Sequence, residues 1–390
     1  MNFIFDPLFV LAILCLNIVL SEWLVQKTFC RHFGTALLVI LMTAVTANLG
    51  LIPSASDSFE LYNAIFTYVA PIAIFYLLLE VNLRDLKQAG VPMLLIFGAG
   101  TLGTVLGVLI GMWAVNGSES FGDLFYAIGG MFTGTYTGGS INFNAVALHY
   151  GVMKQGNLYA GSVVVDNIIT TLWMLATIAL PKILSGIAPR STHKDSATVP
   201  DKLTADMNDD SETLAPLDLG MMLSLGAFVL WVSNLFADSF AKLGVHIPSI
   251  LILTTIALGL AQIPAIKRIH GSRLLGMVSV YLFLAVIGAY CELSALAKIG
   301  SLGTALLWFA TILCLVHGLV VFGLGALFRQ DWDLVSIASQ ANIGGSTSAL
   351  ALSRSLGRAD LFLPAILVGS LGNGVGTYLG FLVSELLRHQ

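Results

Sequence analysis

Residues 133–144 read TGTYTGGSINFN, and they lie inside an apolar segment long enough to cross a membrane. A glycine in a helix interior costs about 1 kcal/mol, so three glycines weaken a helix here by roughly 3 kcal/mol. The hydroxyl and amide side chains around them need hydrogen-bond partners in a medium that offers no water. The stretch therefore predicts that a membrane helix is interrupted at this point.

The composition defines the class of protein. Of the 390 residues, 57% are hydrophobic and 10% are charged, and the mean hydropathy is +0.89. Soluble domains carry about 25% charged residues. The net charge of −4 comes without a basic tract, which argues against a nucleic-acid partner. We expect an all-α polytopic membrane protein.

The N-terminal segment has no basic region before its apolar run and no small-residue cleavage site, so we predict a retained first helix rather than a signal peptide. Cys15, Cys30, Cys291 and Cys314 lack metal-ligand spacing, and we expect free thiols.

Apolar runs of about 20 residues suit a bilayer span, and twelve segments qualify approximately. They are 7–26, 34–52, 61–82, 90–115, 122–149, 158–184, 218–238, 246–264, 271–291, 301–328, 331–356 and 362–386. A polar linker, 186–217, divides them into two halves.

The two halves resemble each other. A shift of 206 residues places TGGS (137–140) on IGGS (343–346) and Gly151 on Gly357. Both halves have a glycine-rich break in their second-last segment, which predicts an internal duplication.

Loop charges predict the orientation of the halves. In the first half the Lys and Arg residues cluster in loops one, three and five, which places the N-terminus outside. The second half favours the opposite parity, as an inverted repeat requires, and the C-terminus is then cytoplasmic. Twelve full spans do not allow this parity, so we expect 11 spans, within a range of 10 to 13.

Two interpretations of the glycine-rich stretches compete. Small residues allow helices to pack closely, as Gly103, Gly107 and Gly111 do at GxxxG spacing. Alternatively, the helices 122–149 and 331–356 are broken and their half-helix ends face a ligand. The many polar groups favour broken helices. The candidate solute-binding residues are Thr135, Thr137, Gly138, Gly139, Asn144, Gly344, Gly345, Ser346, Thr347, Ser348 and Asn373.

Asp166 is the acid placed deepest in an apolar segment. An intramembrane carboxylate is a functional hypothesis by default, with a structural hydrogen bond as the alternative. Asn167 and Thr170 follow within one helical turn, so this turn offers oxygen ligands for a small cation such as Na⁺. Equally, Asp166 could carry a proton.

Three further polar residues lie in or beside the second half's apolar segments. His317 suits a satisfied core histidine better than a proton relay. Arg354 and Arg358 follow the second break at i and i+4 on one helix face. Snorkelling at a membrane surface is the preferred interpretation, with an anion contact from Arg354 as the alternative.

The motifs TGTYTGGSINFNAVA, VVVDNI and QANIGGSTSALAL are similar to those of YjcL-like membrane proteins, the domain of unknown function 819. That family resembles a clan of bile-acid sodium symporters, auxin efflux carriers and cation–proton antiporters. The resemblance implies two inverted repeats of five to six helices, each with a broken helix crossing near the bilayer centre.

The resemblance also implies that the chain is divided into panel segments and core segments. Residues 1–89 and 218–299 would form panels that support the protein and a homodimer contact. Residues 90–185 and 300–390 would form core units around the broken helices. Acidic pairs of the clan's antiporters correspond here to Asp166–Asn167, in reversed order and without a second Asp.

Positions that match the sodium ligands of bile-acid-type symporters form the candidate ion site. They are Ser140, Asn142, Asp166, Asn167, Thr170, Gln340 and Asn342. A first Na⁺ would be held by Asp166, Asn167, Ser140 and Asn142.

We therefore expect a secondary transporter of a bacterial inner membrane, most specifically a Na⁺-coupled symporter of a small anionic solute. A cation–proton antiporter that uses Asp166 is the alternative, and a non-transporting scaffold or sensor is a weaker one. The sequence offers no cofactor fingerprint and no protease motif, so we expect no enzyme activity and no cofactor besides Na⁺ or H⁺.

Overall fold

A computed structural model describes residues 5–28, 34–54, 59–81, 83, 86–187, 215–245, 247–291 and 296–389. Within them the regular structure is helical. The longer helices are α1 (Pro7–Lys27), α2 (Gly34–Asn48), α3 (Glu60–Leu78), α4 (Val91–Ala114), α5 (Phe125–Gly138), α6 (Ser140–His149), α7 (Gly156–Ile187), α8 (Pro216–Lys242), α9 (Ser249–Ala261), α10 (Ser272–Ala289), α11 (Leu296–Leu327), α12 (Trp332–Ser355) and α13 (Phe362–Arg388). Two short helices, Gly117–Phe121 and Pro264–Lys267, and several 3₁₀ turns lie between them. Most of the predicted linker and Cys30 lie outside the described residues.

Eight of the described helices are long and apolar enough to cross a membrane, namely α1, α3, α4, α7, α8, α10, α11 and α13. Two shorter apolar helices, Thr35–Asn48 within α2 and Ser249–Ala261 (α9), accompany them. The protein is therefore an all-α, multi-pass membrane protein. If both shorter helices also cross, the count is ten, the lower bound of the predicted range.

Local chemistry fixes the start of α1. Asp6 caps α1, because its Oδ1 accepts hydrogen bonds from the backbone N–H groups of Leu8 (2.9 Å) and Phe9 (3.1 Å). Pro7 then occupies the first helical position, where a missing N–H costs nothing. Inside α3 the segment Ile65–Val69 forms a π-helical turn.

The first predicted break is present between α5 and α6. Gly139 has φ 118° and ψ 179°, a conformation that only glycine adopts readily, and α6 begins at the next residue. Beyond the break the chain folds back, because Asn142 Nδ2 donates a hydrogen bond to the carbonyl of Gly134 at 3.3 Å. The rings of Tyr126 and Tyr150 lie 5.2 Å apart, whereas a straight helix would separate these residues by about 36 Å. We call α5 and α6 hairpin 1.

The second break is at Gly345, which has φ 74° and ψ −172° inside α12. Here too the two arms, 332–344 and 346–355, return to the same end. Arg358 Nη1 lies 3.2 Å from Asp333 Oδ2, although 25 residues of straight helix would span about 37 Å. We call the two arms of α12 hairpin 2.

These hairpins correct the prediction that each broken helix crosses the bilayer. The break itself follows from the glycine pair. The direction of the chain after it depends on contacts between residues about 25 positions apart, which no local pattern reveals.

The long helix α13 shows how the hairpins are arranged. Three glycines of α5 approach three glycines of α13. Gly130 approaches Gly380, Gly134 approaches Gly376 and Gly138 approaches Gly372. Hairpin 1 therefore extends from the C-terminal end of α13 to its middle. Hairpin 2 begins at the other end, where Arg358 contacts Asp360, and its Ser346 reaches Gly369. The hairpins come from opposite ends, and their tips meet beside the middle of α13.

The remaining helices pack in two groups. The helices α4, α7, α11, α12 and α13 surround hairpin 1, and α4 and α11 pack along each other most extensively. The helices α1, α2, α3, α8, α9 and α10 pack mainly among themselves. Contacts between the groups are fewer and involve α3 with α6, α7 with α10 and α9 with α13. The exact boundaries of the predicted panel and core units stay a prediction.

Gly103, Gly107 and Gly111 of α4 serve close packing, as their GxxxG spacing predicts. They lie against His317, Leu313 and Phe309 of α11, one turn after another. A side chain at Gly107 would force the two helices apart, because its Cβ would lie 2.6 Å from the carbonyl oxygen of Leu313.

An ionic cluster closes the base of hairpin 2. The guanidinium of Arg358 is only 3% exposed and contacts the carboxylates of Asp331, Asp333 and Asp360. Hydrogen bonding by Asp360 and Asp331 raises the pKa of Arg358 above its usual value, although burial opposes this. Arg358 is thus held inside the protein, which corrects the snorkelling interpretation for this residue. Arg354 is exposed.

We predict that Arg358→Ala destabilises the protein by about 3 kcal/mol, because it leaves clustered carboxylates without their cation. Arg354→Ala, on the exposed side of the same turn, should stay within about 0.5 kcal/mol of wild type. Thermal unfolding of the purified proteins in detergent measures both. Equal stability of the two variants would contradict the cluster as a structural element.

Sided labelling tests the hairpins. In a cysteine-free background, we expect Asp123→Cys and Gln155→Cys, at the two ends of hairpin 1, to react with an impermeant thiol reagent from the same side of the membrane. Phe328→Cys and Ser355→Cys, at the ends of hairpin 2, should react together from the other side. Labelling of Asp123→Cys and Gln155→Cys from opposite sides would show a crossing helix instead.

Candidate functional site

The tips of the two hairpins lie against each other. A Cβ built on Gly345 would lie 3.3 Å from the carbonyl oxygen of Gly138. At each tip one arm ends and a new helix begins, at Ser140 in hairpin 1 and at Ser346 in hairpin 2. Helix N-termini present unpaired N–H groups and a partial positive charge. The tips therefore bring two such ends together beside the middle of α13.

Several predicted solute-binding residues surround this point. Ser140 and Thr347 are exposed at the tips, and Ser346, Ser348 and Asn373 are partly exposed. The Asn373 carboxamide lies beside Gly139, since a Cβ built on Gly139 would be 3.5 Å from Asn373 Oδ1. Gly138, Gly139, Gly344 and Gly345 form the turns themselves.

Other predicted solute-binding residues are engaged elsewhere. The Thr137 hydroxyl donates to the carbonyl of Thr133 at 2.7 Å, one turn back in α5. Asn144 accepts a hydrogen bond from the Tyr159 hydroxyl of α7. Thr135 is buried inside α5, and its carbonyl accepts the N–H of Gly139 at 2.7 Å. These residues stabilise hairpin 1 rather than line its tip.

Asp166 lies beside hairpin 1. Its carboxylate faces the Tyr136 hydroxyl near the end of α5, and Thr170 of α7 faces the same hydroxyl. Tyr159 and Cys314 are close enough to Asp166 to interact electrostatically with its carboxylate. Tyr136 is fully buried and has non-helical backbone angles, φ −89° and ψ 15°, three residues before the break.

Two polar atoms at this place are without hydrogen bonds. Asp166 Oδ1 and the Tyr136 hydroxyl oxygen are buried, and neither has a partner among the described residues. A buried polar atom without a partner costs roughly 1–3 kcal/mol. These two buried oxygens are therefore candidate partners for a bound cation, proton or water.

The other predicted ion ligands are not brought to Asp166. Asn142 is fully buried and joins hairpin 1 to α13, since it accepts from Thr377 (2.7 Å) and donates to the carbonyls of Gly134 and Gly372 (3.3 Å each). Ser140 lies at the tip, and Asn167 is exposed on the outer face of α7.

The amides of hairpin 2 also belong to separate networks. Asn342, with its amide oriented to suit its neighbours, donates to the carbonyls of Phe97 and Ala338 (3.2 Å each) and accepts from Thr101 (3.1 Å). Gln340 accepts a hydrogen bond from Thr177 at 3.2 Å. Thr177 lies three helical turns beyond Asp166 on α7. The structure thus groups Asp166 and Thr170 with Tyr136, a residue that the sequence placed in the break but not in the ion site.

A cleft lies between hairpin 1 and the second group of helices. A cavity of about 750 Å³ is bordered by α6, α8, α9 and α13, with His149, Asp238, Tyr378, Glu385 and Arg388 among its lining residues. His149 also borders a neighbouring cavity of about 260 Å³ toward α3. Glu385 accepts a hydrogen bond from the Tyr150 hydroxyl at 2.8 Å.

Close packing at the tip of hairpin 1 can be tested with one methyl group. We predict that Gly138→Ala destabilises the protein by about 1–3 kcal/mol or more, because the added Cβ would overlap the backbone of Gly372. Gly98→Ala, on α4 with open space around it, should be neutral or stabilise by up to about 1 kcal/mol. Thermal unfolding of both variants measures the difference. A Gly138→Ala variant as stable as Gly98→Ala would contradict the contact with α13.

Comparison with known proteins gives the family. Residues 9–390 match the family described as protein of unknown function (DUF819), and the chain belongs to this family. The chain is 28% identical over 364 residues to the uncharacterized membrane protein YjcL of Bacillus subtilis (strain 168), across 88% of this chain and 87% of that protein. These similarities agree with a membrane protein and with the DUF819 resemblance. The relationship to the wider clan stays a prediction.

Proposed function

We propose that this member of the DUF819 family is an ion-gradient-driven secondary transporter, and most specifically a Na⁺-coupled symporter of a small anionic solute. The observation that carries the proposal is the meeting of two hairpin tips near Asp166, whose Oδ1 is buried without a hydrogen-bond partner. Interrupted helices in a membrane are tolerated where their free backbone groups face protein or a watery cavity. Secondary transporters place such discontinuous helices at their substrate and ion sites.

The arrangement of the hairpins supports an inverted repeat. Gly139 and Gly345 are the two break residues, and they coincide under the 206-residue shift. Gly151 and Gly357, the other aligned pair, have φ values of 71° and 69°. Two hairpins that approach from opposite ends of α13 are what a duplicated unit of opposite orientation would give. With two hairpins that do not cross and five crossing helices in each half, the two halves would have opposite orientations, as an inverted repeat requires. Ten crossings would also place both termini on the same side, so an external N-terminus would imply an external C-terminus instead of the cytoplasmic one expected from the sequence, and Lys154 would lie on the outer side.

The solute would bind at the tips. The N-termini of α6 and of the second arm of α12 favour an anionic group, such as a carboxylate. Ser140, Ser346, Thr347 and Asn373 would supply hydrogen bonds to it. Movement of the hairpin-bearing group of helices against the other group, along the cleft beside His149, would give access to alternate sides.

The coupling cation would bind at Asp166, with Tyr136 and Thr170 as neighbouring oxygens. One observation favours the antiport alternative. Hard cations take several oxygen ligands, and the structure leaves Asn167 exposed and Asn142 engaged elsewhere. A proton needs one acceptor, so a cation–proton exchanger with Asp166 as its proton carrier is the second candidate. We propose no enzymatic activity, a bacterial inner-membrane location, an external N-terminus and a homodimer.

Thermal stability in salt solutions tests the ion site without a known solute. We expect NaCl to stabilise the wild-type protein over KCl at equal ionic strength, by about 2.7 kcal/mol at 100 times the dissociation constant. Asp166→Asn should abolish the difference, because it removes the charge and keeps the shape. Asp238→Asn, an exposed acid on α8, should keep it.

Uptake of a Na⁺-dependent solute into proteoliposomes would then identify the cargo from a panel of small organic anions. Equal stability of the wild type in the two salts would exclude a saturable Na⁺ site and favour proton coupling. A folded Asp166→Asn protein with an unchanged Na⁺ response would remove Asp166 from the ion site, whichever ion is coupled.

A further inference from the structure

His317 is fully buried in α11 and takes part in a hydrogen-bond network with three other helices. Its Nδ1 lies 2.9 Å from the carbonyl oxygen of Gly100 and 3.1 Å from the Thr104 hydroxyl, both on α4. Its Nε2 lies 2.9 Å from the hydroxyl of Ser339 on the first arm of hairpin 2. The indole N–H of Trp173 on α7 donates to the same Ser339 hydroxyl at 3.0 Å.

The partners determine the protonation of the ring. A carbonyl oxygen only accepts, so Nδ1 carries a hydrogen and donates it to Gly100. Ser339 already accepts from Trp173, and its own hydrogen is free to be donated to Nε2. The assignment is a neutral imidazole with both nitrogens satisfied by neutral groups. We call His317 and its partners Gly100, Thr104, Ser339 and Trp173 the junction. Its geometry suits a fixed connection between helices and not the proton relay considered from the sequence.

The junction extends to the candidate ion site through Thr104. The Thr104 hydroxyl donates a hydrogen bond of 2.8 Å to the carbonyl oxygen of Tyr136. Tyr136 is the residue at which the backbone of α5 leaves helical geometry. Its side chain carries the hydroxyl that faces Asp166. Thr104 therefore holds the backbone from which this hydroxyl is aimed.

We propose that Thr104 and His317 are positioning residues for the Asp166 site and that they couple it to hairpin 2. A displacement of Ser339 in hairpin 2 would be transmitted through the imidazole and Thr104 to the carbonyl of Tyr136, and so to the Tyr136 hydroxyl. Trp173 adds a second connection, because it lies on the same helix as Asp166. This inference rests on the proposed function, since it assumes that a cation binds at Asp166.

Two buried threonines provide a matched test. Thr104 and Thr177 are both fully buried and both donate to a backbone carbonyl, Thr104 to Tyr136 at 2.8 Å and Thr177 to Trp173 at 2.9 Å. For Thr177 the side-chain oxygen of Gln340 is a second, longer acceptor at 3.2 Å. Each is replaced by valine, which keeps the shape and removes the hydroxyl. The unfolding temperature of wild type, Thr104→Val and Thr177→Val is then titrated with NaCl at constant ionic strength.

A merely structural role and a positioning role give different results. Both variants should melt at a lower temperature without Na⁺. Only Thr104→Val should also raise the NaCl concentration that gives half of the stabilisation, by about five- to tenfold, as expected for the loss of one aligned hydrogen bond. Thr177→Val should change this concentration by less than about twofold.

Replacement of His317 separates the two sides of the junction. In His317→Asn the amide nitrogen can take the place of Nδ1 and keep the bond to Gly100, so we expect a nearly normal Na⁺ midpoint. In His317→Gln the amide can take the place of Nε2 and keep the bond to Ser339, but the α4 side loses its donor, so the midpoint should rise. This pair decides the question if Thr104→Val does not fold.

The outcomes are distinguishable. Equal Na⁺ midpoints for Thr104→Val and Thr177→Val, or for the two His317 variants, would overturn the positioning role and leave the proposed function intact. A wild-type protein without any Na⁺ response would instead overturn Na⁺ binding at Asp166 and, with it, the positioning of a Na⁺ site by Thr104.

Discussion

The close approach of hairpin 1 to α13 is the contact on which the rest of the structure depends. In a lipid environment apolar helices gain little by leaving the hydrocarbon, so their association relies on tight packing and on hydrogen bonds between them. Glycines at positions 369, 372, 376 and 380 put an unobstructed backbone surface along one face of α13. The glycines of α5 meet this surface, and Asn142 can then reach carbonyls in both partners. Without this surface, an arm as short as α6 would have no stable place at membrane depth.

The sequence allowed the location of the breaks to be predicted, but not the path of the chain beyond them. A glycine pair within an apolar segment is a local signal, and Gly139 and Gly345 adopt conformations that other residues avoid. Whether the next arm continues or returns is decided by distant partners, such as Tyr126 with Tyr150 and Arg358 with Asp331. Those partners are ordinary residues of segment ends when the sequence is considered alone. The uneven loop charges were the one indication that some of the twelve segments do not cross.

The candidate ion site was also predictable in part. Asp166 could be identified because a carboxylate deep in an apolar segment costs free energy and is usually retained for a function. The sequence did not reveal which amide side chains bind a ligand and which have a structural role. A broken helix leaves backbone carbonyls unpaired, and an amide side chain can bind these carbonyls as well as it can bind a ligand. Asn142 and Asn342 have this structural role, and Asn167 faces outward because one residue of helix turns a side chain by about 100°. The sequence did not identify Tyr136 as a site residue, because a tyrosine in a protein core is usually a packing residue.

Under the proposed transport function, the position of the hairpin tips gives a reason for retaining such costly elements. A helix that ends inside a membrane leaves backbone groups unpaired, and each such group costs free energy unless something binds it. Placing two tips together confines these groups to one region, where a solute could satisfy them. Asp166 and Tyr136 lie at the edge of the same region, on α7 and α5. In the proposed mechanism, movement of the hairpin-bearing group of helices against the other group would open this region to one side of the membrane and then to the other. If the protein has the proposed function, the same unpaired groups that weaken the helices would bind the solute from either side, and the Asp166 carboxylate would make that binding depend on the cation.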